Sequence, residues 1–307
     1  MNYYLAPLEG ITTLPFRLAY HKYYGGIEKY FTPFLSSGKL NENQRAHLDR
    51  ANNAGMTLIP QILTNSVDSF MLTANQLAEL GYSVVNINLG CPSGTVVAKK
   101  RGAGALDDLR TLEQFLQDIF EQSPLKISIK TRIGMFSESD WEDILKLYLQ
   151  FPFEELIVHP RIGKQGYAGS PNLDAYELAY RLVAPEKLVY NGDITDIASQ
   201  TALLARFPST QNLMIGRGLL MHPGLVPALA QNKPLEPIDY MLFREFHNDL
   251  LHRYQELMQD DSHVLFKMKD LWKFMEKAFP NQEKALKEIR KSKTVSAYKI
   301  AVGQLFY

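Results

Sequence analysis

The chain has 307 residues, 46% hydrophobic and 21% charged, the balance of an ordinary globular protein with a substantial core. Its 33 Lys plus Arg match its 33 Asp plus Glu, so net charge gives no global support for a nucleic-acid partner. The single cysteine excludes an intrachain disulfide and points to a reducing, cytoplasmic setting. No apolar run approaches the roughly 18–20 residues that cross a bilayer, so no membrane partner is expected, and "MNYYLAPLEG" lacks the pattern of a signal peptide.

In chain order, apolar and β-branched runs predict strands at 3–5, 29–31, 57–62, 84–88, 126–131, 155–159, 187–191 and 212–216. Helical periodicity fills the gaps between most of them, as at 66–80, 112–120, 141–151 and 197–207. Short apolar strands alternating with helices argue for parallel βαβ units, and eight of them for a closed (β/α)8 TIM barrel. A doubly wound sheet is the competing reading, but no G-x-G-x-x-G follows the first strand. After Pro223 the strands stop. Pro234 and Pro237 mark a linker, and helices are expected at 240–258, 263–279, 282–290 and 295–305. The expected organisation is a barrel over 1–235 and a small all-helical domain over 238–307.

Chemistry in such a barrel sits where its strands end, because the βα loops open there. The strands end at Pro7, Gln61, Asn88 to Cys91, Lys130, His159, Asn191-Gly192-Asp193 and Gly216-Arg217. His159 is the only histidine at this face, so no metal is expected, and no cysteine-protease signature surrounds Cys91. Glycines and an arginine after the last two strands, at 191–193 and 215–218, stand where this fold cradles phosphate. With Gln61 and Lys130 they point to a phosphorylated, planar, polar cofactor. FMN fits: Gln61 would meet the pyrimidine edge and Lys130 would stabilise charge near N1–C2=O.

The stretches "LAPLEGITTLPFR", "NINLGCPSGTVVAKKRGAGAL", "IKTRIG", "IVHPRIGKQGY", "YNGDI" and "MIGRGLLMHPGL" resemble the tRNA-dihydrouridine synthases, in the right order from Leu5 to about Leu225. The resemblance departs at Leu8, where the family has methionine, and at Ile162, where it has threonine. It implies FMN-dependent reduction of a tRNA uridine with NADPH, by a cytoplasmic enzyme expected to act as a monomer.

The resemblance gives Cys91 the role of proton donor to uracil C5, opposite a hydride delivered to C6. A thiol with an ordinary pKa near 8.5 is protonated at neutral pH, as that role requires. By position, Pro7, Leu8, Glu9, Gln61, Lys130, His159, Asn191, Gly192, Asp193, Gly216 and Arg217 are expected to bind FMN. Asn88, Arg161, Gln165 and Tyr167 are expected to face the flipped-out uracil or its phosphate.

Local charge bears on the partner. From residue 262 to 307, ten Lys plus Arg stand against four Asp plus Glu, a balance of +6 that leaves −6 for the rest. Lys99, Lys100 and Arg101 form a second basic run beside Cys91, so Lys99 and Arg101 join the expected tRNA contacts. Two other functions compete: a small-molecule flavin reductase similar to dihydroorotate dehydrogenase, and a non-catalytic RNA-binding barrel. The basic helical tail argues against the first, the complete set of site residues against the second.

Overall fold

The computed structural model describes residues 1–36, 38–258 and 260–306. Nine parallel strands form one sheet: β1 (Asn2–Leu5), β2 (Lys29–Phe31), β3 (Leu58–Ile59), β4 (Gln61–Ile62), β5 (Val84–Leu89), β6 (Lys126–Arg132), β7 (Leu156–His159), β8 (Leu188–Tyr190) and β9 (Asn212–Ile215). Their order is β3-β2-β1-β9-β8-β7-β6-β5-β4. The strand expected at 57–62 is therefore two pieces. Pro60 separates them, because proline has no N–H to give to a ladder, although its carbonyl still accepts from Asn86 N–H at 2.8 Å.

The two ends of the sheet are these two pieces, and the chain after β2 closes the gap. Thr32 N–H donates to Ile59 O (3.1 Å), Leu35 N–H to Gln61 O (2.7 Å) and Leu63 N–H to Leu35 O (2.9 Å). The result is the expected (β/α)8 barrel with its third strand broken. The other observed strands lie within a residue or two of expectation; Asn191 and Gly216 fall just beyond theirs.

Helices separate the strands: α1 (Leu14–Tyr23), α2 (Glu42–Leu48), α3 (Val67–Glu79), α4 (Gly94–Val97), α5 (Leu109–Gln122), α6 (Trp141–Tyr148), α7 (Leu173–Leu182) and α8 (Ile197–Arg206). Side-chain caps set several starts. Ser66 accepts from Ser69 N–H, Asp108 from Thr111 N–H and Asn172 from Ala175 N–H. After β9 the chain is helical: α9 (Arg217–Met221), α10 (Leu225–Ala230), α11 (Tyr240–Leu257), α12 (Asp261–Met275), α13 (Glu283–Lys291) and α14 (Val295–Gly303).

Two compact units divide the chain. The first is 1–7, 28–193 and 202–215 and holds the whole barrel sheet; the second is 8–27, 194–201 and 216–307. Inside the barrel, Tyr4, Ala6, Phe31, Ile59, Ile157, Val189 and Met214 form a buried apolar cluster. That cluster comes from β1–β3 and β7–β9, whereas β4–β6 carry Gln61, Asn86, Asn88, Ser128 and Lys130 on the same face. The N-terminal part of the barrel is not without polar groups either. Tyr4 Oη donates to Glu155 Oε1 (2.7 Å), and Lys29 Nζ pairs with the same oxygen at 2.8 Å.

In the second unit α1 buries Phe16 and Tyr20, with Phe16 edge-on to Phe246 at 6.1 Å and Tyr20 Oη donating to Pro223 O at 2.9 Å. α13 buries Ala285, Leu286 and Ile289 and exposes Lys284, Lys287, Arg290 and Lys291, alongside Glu283 and Glu288. Among the described residues, no helix is long and apolar enough to cross a membrane.

Candidate active site

Most of the expected site residues lie in the first unit, at the C-terminal ends of its strands. Asn88 ends a chain of buried amides. Its Oδ1 accepts both Gly90 N–H (3.0 Å) and Cys91 N–H (2.9 Å), which fixes the turn that carries the thiol. Its Nδ2 donates to Gln61 Oε1 (2.8 Å), and Gln61 Nε2 donates to Asn86 Oδ1 (2.7 Å). Each of these bonds uses one amide hydrogen of two, so Gln61 and Asn88 each keep a donor.

The Cys91 turn is also held from behind. Ala103 N–H donates to Cys91 O (3.0 Å). Gly102 stands at φ +56°, and a Cβ there would lie 2.7 Å from Cys91 O, so glycine is required by both backbone and space. Arg101 Nε donates to Asn65 Oδ1 (3.1 Å) and Asn65 Nδ2 to Lys99 O (3.1 Å), while the Lys99 side chain is exposed. The basic run is thus tied to the loop after β4.

Lys130, on β6, is paired in register with Asn88. Burial pushes its pKa down to about 7; the positive charge of Arg132 adds to the effect, and Cys91 opposes it.

Arg132 is a residue that sequence reasoning missed. It is 2% exposed, donates from Nε to Gly90 O (2.9 Å) and from Nη1 to Ile162 O (2.9 Å), and lies 5.7 Å from the Tyr167 ring centroid. It therefore ties the cysteine turn to the loop after β7. The strand was expected to stop at Thr131; extended by one residue, it puts Arg132 on the face of Lys130, which was the available signal.

On the other side, His159 and Arg161 form one cluster with Asp193. Arg161 is fully buried and donates to Asp193 Oδ1 (3.1 Å) and Oδ2 (2.5 Å) and to Gly169 O (2.6 Å). Its Nη1 also lies 3.1 Å from His159 Nε2. Arginine only donates, so that nitrogen of His159 is the acceptor and any ring proton sits on Nδ1. Arg161 Nε is buried with no partner. Asn191 Nδ2 donates to Met214 O (2.8 Å), and at Gly192 a Cβ would lie 2.0 Å from Tyr190 Oη.

Gln165 is half-buried and Tyr167 is 49% exposed. Phe136 is 56% exposed on the loop after β6. Gly163 N–H and Lys164 N–H donate to Gly134 O and Met135 O, both at 2.8 Å, which joins that loop to the one carrying Gln165 and Tyr167.

Pro7 is half-buried in the first unit. Leu8, Glu9, Gly216 and Arg217 belong to the second, where Leu8 N–H donates to Thr12 Oγ1 (2.9 Å) and Gly216 immediately precedes α9. Among the described residues, no group of three or more His, Cys, Asp or Glu side chains is placed to share a metal ion.

Residues 4–302 match the family model described as Dihydrouridine synthase (Dus). A probable tRNA-dihydrouridine synthase of Staphylococcus aureus (strain COL) is 26% identical over 227 residues, 71% of this chain and 68% of that protein. The tRNA-dihydrouridine synthase B of Pasteurella multocida (strain Pm70) is 27% identical over 227 residues, 72% of this chain and 67% of that one. Among solved structures, that of TcOYE with pHBA superposes with a TM-score of 0.56 at 12% identity, covering 81% of this chain and 94% of that one. Morphinone reductase gives 0.53 at 10%, covering 78% and 88%. At these identities the structural likeness is one of fold.

Proposed function

Because residues 4–302 match its model, the chain belongs to the dihydrouridine synthase family, oxidoreductases acting on tRNA, and we propose that it reduces a tRNA uridine to 5,6-dihydrouridine with FMN and NADPH. The observation that carries this reading is the Cys91 turn, held by Asn88 Oδ1 beside Lys130 where the barrel strands end.

The residues of the first unit fit a planar, polar, electron-rich ring. Asn88 keeps an amide hydrogen with Gln61 fully buried behind it, Lys130 supplies the cation, and the one carboxylate among the expected residues there, Asp193, is neutralised by Arg161. An anionic ligand beside Lys130 would draw its pKa back up from about 7 and hold the proton on Nζ. His159 completes the ring-facing set, and Asn191 and Gly192, after β8, belong to the phosphate cradle. Pro7 joins them in the first unit; the FMN roles of Leu8, Glu9, Gly216 and Arg217 rest on their sequence positions alone.

FMN, when bound, would supply hydride chemistry at uracil C6, with NADPH as the source of the electrons. Cys91 holds the proton at Sγ and gives it to C5 from the opposite face, so the double bond gains two hydrogens. Asn88 orients both the thiol and the uracil edge. Arg161 orders His159 and Asp193 and, with Gln165, Tyr167, Lys99 and Arg101, receives the flipped nucleotide and its neighbouring phosphates. The helices over 262–307, with their +6 balance, grip the body of the tRNA, and the reaction belongs to the cytoplasm.

The test is direct. An unmodified tRNA transcript is incubated with the protein, FMN and NADPH, digested, and examined by mass spectrometry. A uridine that gains two hydrogens supports the reading; unchanged tRNA with FMN-loaded protein overturns it.

A further inference from the structure

The amide chain behind Cys91 has a single possible direction. Asn88 Oδ1 is occupied by the Gly90 and Cys91 N–H groups, so its Nδ2 must face Gln61. That places Gln61 Oε1 toward Asn88 and Nε2 toward Asn86 Oδ1, and it leaves Asn86 Nδ2 to donate to Ser128 Oγ at 2.8 Å. The Ser128 hydroxyl in turn meets Val85 O at 3.4 Å. Gln61, Asn86 and Ser128 have no exposed surface, and Asn88 is 8% exposed, so water does not substitute for a lost partner.

Register explains why these side chains meet. Gln61 pairs with Asn86 and Asn86 with Ser128, all on the face that looks into the barrel. Space alone does not demand a polar residue there. Val84, two residues earlier on the same strand face, packs against the apolar cluster. An amide at 86 is instead the second anchor of Gln61: without an acceptor for Nε2 only the Asn88 bond holds its amide, and any turn of that amide sets two NH2 groups against each other at Asn88.

We propose that Asn86 is a positioning residue, setting the orientation of the Cys91 turn through Gln61 and Asn88. It acts without touching uracil or FMN. The catalytic meaning rests on the proposed function, whereas the control of the thiol does not.

The test compares Asn86→Leu with Asn86→Asp. Leucine removes the acceptor for Gln61 Nε2; aspartate keeps it and can accept from Ser128 Oγ–H. Cys91 is the sole cysteine, so its alkylation by iodoacetamide reads out cleanly by intact mass. N86L is expected to alkylate about threefold faster or more as the turn loosens, and N86D to stay within about twofold of the unmodified protein. In stopped flow, N86L should slow oxidation of the reduced flavin by tRNA about 10- to 100-fold, leaving reduction by NADPH unchanged, and N86D should restore the rate. N86A carries the same test if N86L does not fold.

Equal alkylation rates in all variants, or equal changes in N86L and N86D, overturn the proposal. If alkylation behaves as stated but the unmodified protein does not reduce tRNA, the positioning role stands and the functional reading falls.

Discussion

A buried histidine in the helical tail gives a prediction that depends on no ligand. Trp272 Nε1–H donates to Tyr298 Oη (2.7 Å), which leaves the Tyr298 O–H to donate to His247 Nε2, also at 2.7 Å. The imidazole is then neutral with its proton on Nδ1, facing Asn248 Oδ1 at 3.3 Å. Burial pushes its pKa from the ordinary 6.5 down to about 4, opposed by the Asn248 bond and assisted by the charge of Lys299.

A folded-state pKa below the unfolded one means that the unfolded chain binds the proton first. The contribution is complete above pH 6.5 and is lost as pH falls toward 4, at about 1.4 kcal/mol per pH unit, roughly 3 kcal/mol over the window. His247→Gln keeps an acceptor for Tyr298 but cannot titrate. Urea unfolding at pH 6.5 and pH 5 should show the unmodified protein losing about 2 kcal/mol more than H247Q. Parallel losses in the two proteins would refute the assignment of a neutral imidazole to this network.

Three further outcomes follow from the site. Arg217→Ala should weaken FMN binding by about 1.5–3 kcal/mol, the range for a charge-assisted phosphate contact, as measured by flavin fluorescence titration. Lys284, Lys287 and Lys291 are exposed on α13; reversing all three to Glu should lower tRNA affinity, and the slope of log affinity against log salt should flatten by up to about 0.9 for each phosphate no longer neutralised. Phe136→Ala should leave the melting temperature unchanged, because the ring is 56% exposed, and should raise KM for tRNA through loss of an exposed stacking face on the loop tied to Gln165 and Tyr167.

The barrel was legible because its strands are short apolar runs with turn residues between them, and the candidate residues were found by looking where barrel chemistry gathers, at the strand ends. Gln61, Asn88, Cys91, Lys130 and His159 all follow from that one rule. The break at Pro60 was visible as a proline inside a run, but the closing role of Leu35 was not, because that pairing lies outside any periodic segment. Asn86 and Ser128 were hidden for a different reason. They sit two residues before Asn88 and Lys130 and look like ordinary strand positions until the register of β5 on β6 sets them side by side. Arg132 was lost to a strand end placed one residue early. The grouping of 8–27 with the C-terminal helices depends on contacts such as Phe16 on Phe246, and no local pattern announces a pairing 230 residues apart.

The central claim is that Cys91 gives the proton to the substrate. Cys91→Ala, loaded with FMN, separates the two half-reactions in stopped flow. Reduction by NADPH should proceed at a near-normal rate, and oxidation by tRNA should slow by about 10²–10⁴-fold, as for loss of a positioned general acid. Small and equal effects on both steps, accompanied by a modest drop in melting temperature, would mean that the chain's only cysteine is packing and that another group protonates the uracil.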